Sequence, residues 1–408
     1  MANTLKTLSA GDITRKALQI YENNLVFCKN INREYDGRFA QTGAKNGGTL
    51  LIRDANEFSV RTGAVMDTVN VTESTQTLTL ATQLGIDMEF SSAELTLSID
   101  DFSKRFLEPA MARLAAETEK TVLTACYKEV YNLENTTFGT HPVLADLVAA
   151  RATMQQGLAP DDGNRIYLGS ALAMNSLITD SKGLYQPASA ISTQYEKGHM
   201  GSVYSFKCME SEMTPVHTTG TRTTAGTCNL SGTANGDTHL AVTGTNGEIY
   251  LKGDIITVAG VYEVNQETKV AYTHLKQFVV GTSYTGTGSA ADLTVAWPIY
   301  KSGPKQNCYC ADWTAASAAT VVDLGGSSGT ASTAYLQNLA FHRDAFTFVM
   351  ADLEVPKGQD FAYRANAKGM SIRLIRDYDV TNDQFPCRLD VIFGQKCTRP
   401  RWAVRVMS

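Results

Sequence analysis

One short pattern in the sequence is typical of a nucleophilic serine. Residues 325–329 read Gly-Gly-Ser-Ser-Gly, which is a G-x-S-x-G pattern that follows a strand-like segment, 320–324. Such a serine needs a histidine to take its proton and a carboxylate between the two in sequence to orient that histidine. Only His342 follows Ser327, and no Asp or Glu lies between them. We interpret the pattern as a Gly/Ser loop and keep a serine hydrolase that uses Ser327 as a remote alternative.

A second pattern imitates a phosphate-binding loop. Residues 286–291 read Gly-Thr-Gly-Ser-Ala-Ala. A dinucleotide fingerprint must open a helix, because the helix N-terminus holds the phosphate. Segment 293–296 has the pattern of a strand instead, so we predict no cofactor.

Metal-ligating residues are present but scattered. The histidines are His141, His199, His217, His239, His274 and His342, and the cysteines are Cys28, Cys126, Cys208, Cys228, Cys308, Cys310, Cys387 and Cys397. A zinc site needs pairs at short spacing, and neither C-x-x-C nor H-x-x-x-H occurs. Asp237 and Asp344 each lie two residues from a histidine without a third ligand, and Asp161-Asp162-Gly163 follows Pro160 as a turn would. We predict buried free thiols, surface or satisfied core histidines, and no metal or catalytic site.

The C-terminal region carries a modest basic cluster. Lys396, Arg399, Arg401 and Arg405 could face nucleic acid, but Trp402 is the only aromatic residue among them. We favour solvated strand edges and salt bridges between subunits. The net charge of -5 also excludes a molecule built as a whole to grip a polyanion.

Length and composition predict a globular protein of two or three compact units. The chain has 408 residues, of which 43% are hydrophobic and 19% charged. No run of about 18 apolar residues occurs, and residues 1–10 lack the layout of a signal peptide. We expect a soluble protein that is made in a cytoplasm and does not enter a membrane.

The first part of the chain predicts a helix followed by extended strands. Ile13, Ala17 and Ile20 share one face of a helix that Ser9 or Asp12 would cap. From Gly47 to about Phe90 the apolar residues alternate, which indicates a long β-hairpin region. The alternating residues are Leu50, Ile52, Phe58, Val60, Val69, Val71, Leu78, Leu80, Ile86, Met88 and Phe90.

The strongest helix pattern follows. An apolar stripe steps by three or four residues through Leu107, Met111, Leu114, Thr118, Val122, Cys126, Val130 and Leu133. A continuous helix from about Ser103 to Leu133 would be roughly 45 Å long, although Pro109 could kink it or delay its start. A helix of that length suits a rod on which other elements are arranged.

The remaining chain predicts an α/β unit that contains an inserted β domain. Residues 140–215 alternate helical and strand-like segments. Segment 218–247 is rich in Thr and Gly, and short strands separated by turns then predict a small β-barrel. A helix-like segment at 332–341 follows, and the chain closes with strands around Ile372, Leu389 and Val404.

Four long segments resemble the coat proteins of phages of the P22 type, a branch of the Hong Kong 97 capsid fold. They are 77–123 (TLTLATQLGIDMEFSSAELTLSIDDFSKRFLEPAMARLAAETEKTVL), 253–269 (GDIITVAGVYEVNQETK), 334–352 (AYLQNLAFHRDAFTFVMAD) and 387–406 (CRLDVIFGQKCTRPRWAVRV). The resemblance follows the order of the family over nearly the whole chain and is loosest at 218–247.

The resemblance implies an α+β fold of the Hong Kong 97 type. It divides the chain into an N-terminal arm (1–46), an extended β-hairpin loop (47–90), the spine helix of a peripheral domain (91–134), the first part of an axial α/β domain (135–219), an inserted small β-barrel domain (220–305), and the second part of the axial domain with return strands of the peripheral domain (306–408). The extended loop would reach over a neighbouring subunit.

The resemblance also implies a function. The chain would be a major capsid protein that is not an enzyme and that self-assembles into hexamers and pentamers of an icosahedral phage head. It would assemble in the host bacterial cytoplasm with a scaffolding protein and a portal, and enclose double-stranded DNA that it contacts non-specifically. Another phage or surface structural protein, a tail or array component, is the first alternative, but such a protein does not need a long spine helix after an extended hairpin.

Overall fold

The structure of the protein is a computed structural model. It describes residues 10–34, 48–58, 60, 62–66, 73–91, 106–135, 139–181, 200–222, 226–243, 246–313, 319–324, 333–359 and 361–408. The fold is mixed, with 23% helix and 42% strand, as the α+β prediction requires.

Five α-helices, three short 3₁₀ helices and 23 strands make up the described secondary structure. The helices are α1 (Ala10–Asn24), α2 (Phe27–Asn30), α3 (Glu108–Tyr127), α4 (Leu144–Gln156) and α5 (Ala171–Asp180). The strands are β1 (Thr49–Arg53), β2 (Thr75–Thr79), β3 (Thr82–Ser91), β4 (Leu133–Glu134), β5 (Arg165–Gly169), β6 (Ser202–Val203), β7 (Phe206–Glu210), β8 (Val216–Thr218), β9 (Gly226–Asn229), β10 (Asp237–Thr243), β11 (Ile249–Tyr250), β12 (Ile255–Val264), β13 (Ala271–Val279), β14 (Tyr284–Thr285), β15 (Ala290–Ile299), β16 (Cys308–Cys310), β17 (Ala319–Leu324), β18 (Ala334–His342), β19 (Phe346–Met350), β20 (Phe361–Ala367), β21 (Met370–Arg376), β22 (Gln384–Cys397) and β23 (Ala403–Met407).

The chain forms two compact units. The first draws on 1–52, 76–123 and 346–396, and the second on 53–75, 124–345 and 397–408. The sheet of the first unit has the order β19-β22-β21-β20, and β3 pairs antiparallel with β22 from Thr82↔Phe393 to Ser91↔Gln384. Its inward-facing residues are the alternating apolar ones, among them Ile372, Leu374, Leu389, Val391 and Phe393, all buried. The predicted closing strands at 372–374 and 389–393 are therefore confirmed.

Helix α3 uses the predicted stripe. All eight of its residues, from Leu107 to Leu133, are at most 4% exposed. The helix itself is shorter than predicted, because it begins at Glu108, next to Pro109, and ends at Tyr127. Proline is tolerated in a first turn, where its missing N–H has no helical acceptor. Leu133 is buried as a strand residue of β4 instead.

A buried carboxylate joins the N-terminal helices to α3 within the first unit. Glu119 is 1% exposed and accepts hydrogen bonds from the backbone N–H groups of Val26 (3.1 Å) and Phe27 (2.6 Å) at the start of α2. Tyr21 of α1 donates to Thr118 of the same helix at 3.1 Å. An acceptor at a helix start satisfies N–H groups that have no partner within the helix.

The second unit contains a mixed sheet flanked by α4 and α5. Its order is β4-β23-β18-β5-β7-β6, with β8 paired to β18. The pairs β5–β7 and β23–β4 are parallel, and β18 is antiparallel to both β5 and β23. The alternation of helices and strands predicted for 140–215 is thus confirmed for residues 140–181 and 200–215, the part of this range that the structure describes.

A helix prediction for this unit is wrong. Segment 332–341 was expected to be helical, but residues 334–342 form strand β18. Tyr335 and all residues from Gln337 to His342 are buried, because neighbouring strands pair with both edges of β18 and it lies inside the sheet. A strand buried on both faces loses the polar/apolar alternation that identifies strands in a sequence.

The inserted β-rich segment forms a sheet that closes on itself. Its order is β13-β12-β17-β9-β10-β15. The two end strands meet, since Val280 and Val295 form an antiparallel bridge and the Gly281 N–H donates to the Thr294 carbonyl at 2.8 Å. Strands β16 and β17 belong to this sheet but follow residue 305, at which the sequence-based division ends the insertion. Strand β12 runs through residues 255–264 and is irregular around Gly260 (φ +82°).

Side-chain hydrogen bonds join the barrel-like sheet to the chain that leaves α3. The Leu133 N–H donates to Gln277 Oε1 (2.6 Å), and Gln277 Nε2 donates back to the Leu133 carbonyl (3.1 Å). Trp297 Nε1 donates to the Glu129 carbonyl at 2.7 Å. Both side chains belong to barrel strands, so the barrel is joined to the body of its own unit at defined points.

Candidate subunit interface

The loop between β1 and β2 exposes large apolar side chains. Phe58 is 69% exposed, Val60 95%, Val65 86% and Met66 76%. Single exposed apolar residues are normal on protein surfaces, but four within nine consecutive positions indicate a contact surface. These four are called the loop apolar residues below. The strand expected at Phe58 and Val60 is absent, since residues 54–58 and 60 are not in a strand; the expected Val69 and Val71 lie outside the described residues.

The base of this loop has one packed face and one open face. Ile52 is 5% exposed and packs with Leu78 and Leu80, as the alternation predicted. Its neighbour Leu51 points the other way and is 61% exposed. Among the strands that the structure describes, β1 and β2 pair only with each other. A two-stranded ribbon is marginally stable until one face packs on something else, and here the inward face packs against Val349 and Ala351.

Polar contacts hold parts of the loop to the second unit. Lys305 Nζ donates to Ser74 Oγ at 2.8 Å. Glu57 lies 3.6 Å from the Arg401 guanidinium and 3.9 Å from Lys269 Nζ. Ion pairs at such distances contribute about 0–1 kcal/mol each. The loop is therefore positioned by weak polar contacts while its apolar side chains stay uncovered.

A buried polar network lies where the barrel leaves the mixed sheet. Its centre is Asp254, just before β12, which is 1% exposed. His217 Nε2 donates to Asp254 Oδ1 at 2.9 Å, and Arg222 Nη2 donates to Oδ2 at 3.1 Å. The backbone N–H groups of Gly220 (3.1 Å) and Leu251 (2.8 Å) also donate to Oδ2. A single carboxylate thus connects β8, the chain that enters the barrel and the first long barrel strand.

Two further side chains extend this network toward α3 and β23. Tyr127 donates to His217 Nδ1 at 3.0 Å, and burial raises the pKa of Tyr127 to about 12, so the hydroxyl keeps its proton. Arg405 Nη2 donates to the Gly253 carbonyl at 2.8 Å. Gly253 has φ +101°, a conformation that favours glycine.

Burial lowers the pKa of His217 below its usual 6.5. The hydrogen bond to Asp254 opposes this decrease, whereas the positive charges of Arg405 and Lys128 add to it. The unfolded chain therefore takes up this proton at a higher pH than the folded chain. We expect stability to decrease as the pH falls from about 6.5 toward the lower folded-state pKa.

Urea unfolding at pH 7.5 and pH 5.0 checks this expectation. His217→Gln can keep both hydrogen bonds but cannot titrate, so the variant should lose less stability than the wild type between these two pH values. An equal loss in both proteins would show that His217 does not cause the acid sensitivity.

A second buried ion pair lies on the barrel. Lys276 is 4% exposed, donates to Glu263 Oε1 at 2.8 Å and lies 4.0 Å from the centre of the Tyr131 ring. Burial alone would raise the pKa of Glu263, but Lys276 and His274 together outweigh burial and lower that pKa to about 2. The pair therefore remains charged at neutral pH and acts as a structural contact.

Of the two candidate enzymatic residues, the structure describes His342 but not Ser327. Residues 325–329, including Ser327, lie outside the described residues. His342 is 1% exposed; its Nε2 lies 3.0 Å from Asp162 Oδ1, and its Nδ1 accepts the Asp344 N–H at 3.2 Å. His342 is thus a satisfied core histidine, as the sequence suggested.

The other motifs also have structural roles. Asp162 accepts a hydrogen bond from the Asn164 backbone N–H at 3.0 Å, in the turn expected at 161–163. A second hydrogen bond, from the Asn164 side chain, is the main reason that the pKa of Asp162 is lowered to about 2. Segment 286–291 leads into strand β15 rather than a helix, which confirms the strand predicted at 293–296.

None of the eight cysteines forms a disulfide, and seven of them are buried. Among the residues that the structure describes, no three His, Cys, Asp or Glu side chains are grouped to hold a metal ion. His199 lies outside these residues.

The basic cluster is not one surface. Arg399 is exposed, and Lys396 and Arg401 are half-buried. Arg405 is 1% exposed, so its interpretation as a solvated residue was wrong. Arg405 lies on β23, in which every residue is buried. The apolar residues around it at 402–407 were the sequence feature that could have predicted its burial. The network around Asp254 was also missed, because its members are far apart in sequence.

No described helix is both long and apolar enough to span a bilayer.

Comparison with known families gives a match: a family described as P22 coat protein, gene protein 5, matches residues 16–406. No curated protein matches the chain.

Several solved structures are similar to the chain at low identity. One from Mycobacterium phage Che8 has 12% identity and a TM-score of 0.47, over 94% of this chain and 90% of the other. The capsid of cyanophage P-SCSP1u has 10% identity and a TM-score of 0.44, over 88% and 83%. The head of Helicobacter pylori bacteriophage KHP40 has 11% identity and a TM-score of 0.41, over 88% and 84%.

Proposed function

The chain belongs to the P22 coat protein family, and we propose that its copies hold one another chiefly through the loop between β1 and β2. It is a structural major capsid protein of an icosahedral phage head and part of the virion. The exposure of the loop apolar residues supports this proposal, and Val60 is the most exposed of them at 95%. A neighbouring copy would cover them.

Weak contacts are sufficient for such a shell. Each subunit makes several contacts in a closed array, and their effects combine because a subunit bound at one contact is already held near the others. A few kcal/mol per contact then gives a stable particle that can still correct errors during growth. The weak ion pairs of Glu57 suit a loop that is positioned before it docks.

The segments would have the following roles. The N-terminal arm (1–46), the loop (47–90) and the spine segment (91–134) would form the periphery of the subunit. The axial parts, 135–219 and the chain after 306, would close hexamers and pentamers, and the insertion (220–305) would be an accessory barrel that also uses β16 and β17. The barrel's hydrogen bonds to Leu133 and Glu129 support its role as a brace on the chain that leaves the spine helix.

Partners would follow from this role. Assembly in the host bacterial cytoplasm would use a scaffolding protein and a portal, and the finished shell would enclose double-stranded DNA. The net charge of -5 disfavours tight binding of DNA by the subunit as a whole, so any contacts with that DNA would be weak, non-specific ones made by individual basic side chains. We propose no enzymatic activity.

Sedimentation and electron microscopy test the proposed function. The chain is expressed and purified alone and together with a scaffolding protein from the same phage. Regular closed particles are expected, with the scaffolding protein improving their uniformity. A chain that remains a monomer under every condition would overturn the proposal.

The loop should form no covalent crosslink between subunits. No lysine lies between Gly47 and Ser103, so the loop lacks the amine needed for an isopeptide bond. Boiled shells should therefore run as a single band near 44.2 kDa on a denaturing gel. A ladder of multiples of this mass would show that another residue supplies the bond.

A further inference from the structure

The turn between β6 and β7 has backbone φ angles that are unusual for the residue types it contains. Val203 and Phe206 pair across an antiparallel hairpin, and only Tyr204 and Ser205 connect them. Their φ angles are +48° and +70°. Positive φ at both central positions defines the two-residue turn that matches the twist of paired strands.

The residue types do not suit this geometry. Such turns select Asn-Gly or Gly-Gly, because a Cβ atom clashes with the backbone at positive φ, and a bulky residue there is an outlier. The turn between Ala367 and Met370 has the same two-residue form and uses a glycine at its second position, with φ +52° at Lys368 and +78° at Gly369. Tyr204-Ser205 has no glycine, so both central residues carry a Cβ atom at positive φ.

The turn is anchored on both sides, and its tyrosine is partly open. The flanking Val203 and Phe206 are 5% and 0% exposed, and Ser205 Oγ lies 3.4 Å from Asp161 Oδ2. Tyr204 itself is 40% exposed. A tyrosine has few rotatable side-chain bonds, so it loses little conformational freedom when a partner covers it. Rare backbone conformations of this kind concentrate at functional sites.

The hairpin lies at the margin of its sheet. Strand β6 ends the order β4-β23-β18-β5-β7-β6, and within the residues that the structure describes it pairs only with β7. In a shell built from one chain, the surface that meets such an edge belongs to another copy. This step depends on the proposed function. Tyrosine is also enriched among residues that dominate binding energy at protein interfaces.

We propose that Tyr204 is an anchoring contact between neighbouring copies of this chain, and that its unfavourable turn is retained because the turn aims the ring at the partner. The partner surface would be a second copy that covers the ring, independently of the loop apolar residues. The hairpin is then a second assembly contact. Its turn lowers the stability of the single subunit but places the ring where it stabilises the shell.

Three variants separate contact from folding. Tyr204→Asn removes the ring and places a residue that tolerates positive φ. Ser205→Gly relieves the neighbouring position and keeps the ring, so it is the matched control. Tyr204→Phe keeps both the ring and the unfavourable turn. The melting temperature of the unassembled chain and the concentration at which half the protein sediments as particles are measured for each variant.

Tyr204→Asn should melt no lower than the wild type, yet need about tenfold more protein to assemble, which corresponds to about 1.4 kcal/mol. Ser205→Gly should melt at the same or a higher temperature and assemble normally, and Tyr204→Phe should match the wild type in both measurements. Normal assembly of Tyr204→Asn would overturn the inference. So would a lower melting temperature together with poorer assembly, because Tyr204 would then act on its own fold. Failure of the wild type and all three variants to assemble would instead overturn the proposed function.

Discussion

Replacing the loop apolar residues by serine is expected to abolish shell assembly without unfolding the subunit. Phe58, Val60, Val65 and Met66 are 69–95% exposed, so serine removes little packing from the single chain. Full burial of such a side chain contributes about 1.5–3 kcal/mol. Even about 1 kcal/mol from each of the four gives ~4 kcal/mol per contact, or a roughly thousandfold rise in the concentration needed for assembly.

Sedimentation of the quadruple variant against protein concentration measures this effect, and circular dichroism reports its folding. Val270→Ser is a matched control, because Val270 is 64% exposed on the second unit but outside the loop. It should assemble within a few-fold of the wild type. A quadruple variant that assembles at wild-type concentrations would refute the role of the loop, and an equal loss in the control would show that the effect is not specific to it.

Replacing Asp254 by alanine is expected to cause the largest loss of stability within a subunit. The side chain accepts from His217, Arg222 and two backbone N–H groups, and all of these donors would lose a buried partner. Removing one member of a buried charged pair costs about 3–5 kcal/mol. We therefore expect the midpoint of urea unfolding to fall sharply, and the barrel to become more accessible to protease because the network connects it to β8 and β23.

A second Asp–His pair in the same chain provides the control. Asp237 lies 2.8 Å from His239, but the two side chains are 28% and 48% exposed. A pair that water reaches contributes about 0–1 kcal/mol, so Asp237→Ala should change stability little. Similar losses in both variants would show that burial of the Asp254 network does not determine its contribution.

The sequence predicted secondary structure best in segments where the apolar residues repeat regularly and are also buried in the fold. The stripe from Leu107 to Leu133 identified a helix and its buried face, because a helix packed on one side must repeat apolar residues every three or four positions. The alternation at Leu50, Ile52, Leu78 and Leu80 identified the inward face of the loop base for the corresponding reason in strands. The prediction that the helix reaches Leu133 failed because Leu133 is buried as part of a strand.

The sequence predicted worst where structure depends on distant partners. Strand β18 has neighbours on both edges, and its apolar run gave no alternation to identify it. Asp254 follows a glycine, as many turn residues do, and its side-chain partners at positions 217 and 222 are set only by the fold. The turn at Tyr204 and Ser205 lacks the Asn-Gly signal by which such turns are recognised. Its backbone becomes evident only in three dimensions.

Electron cryo-microscopy of assembled particles tests the central claim most directly, because it shows on which subunit each loop lies. We predict that residues 48–66 of one subunit lie on an adjacent subunit, with the side chains of Phe58 and Val60 covered by it. A particle in which every loop rests only against its own subunit, with those side chains still open to solvent, would contradict the account.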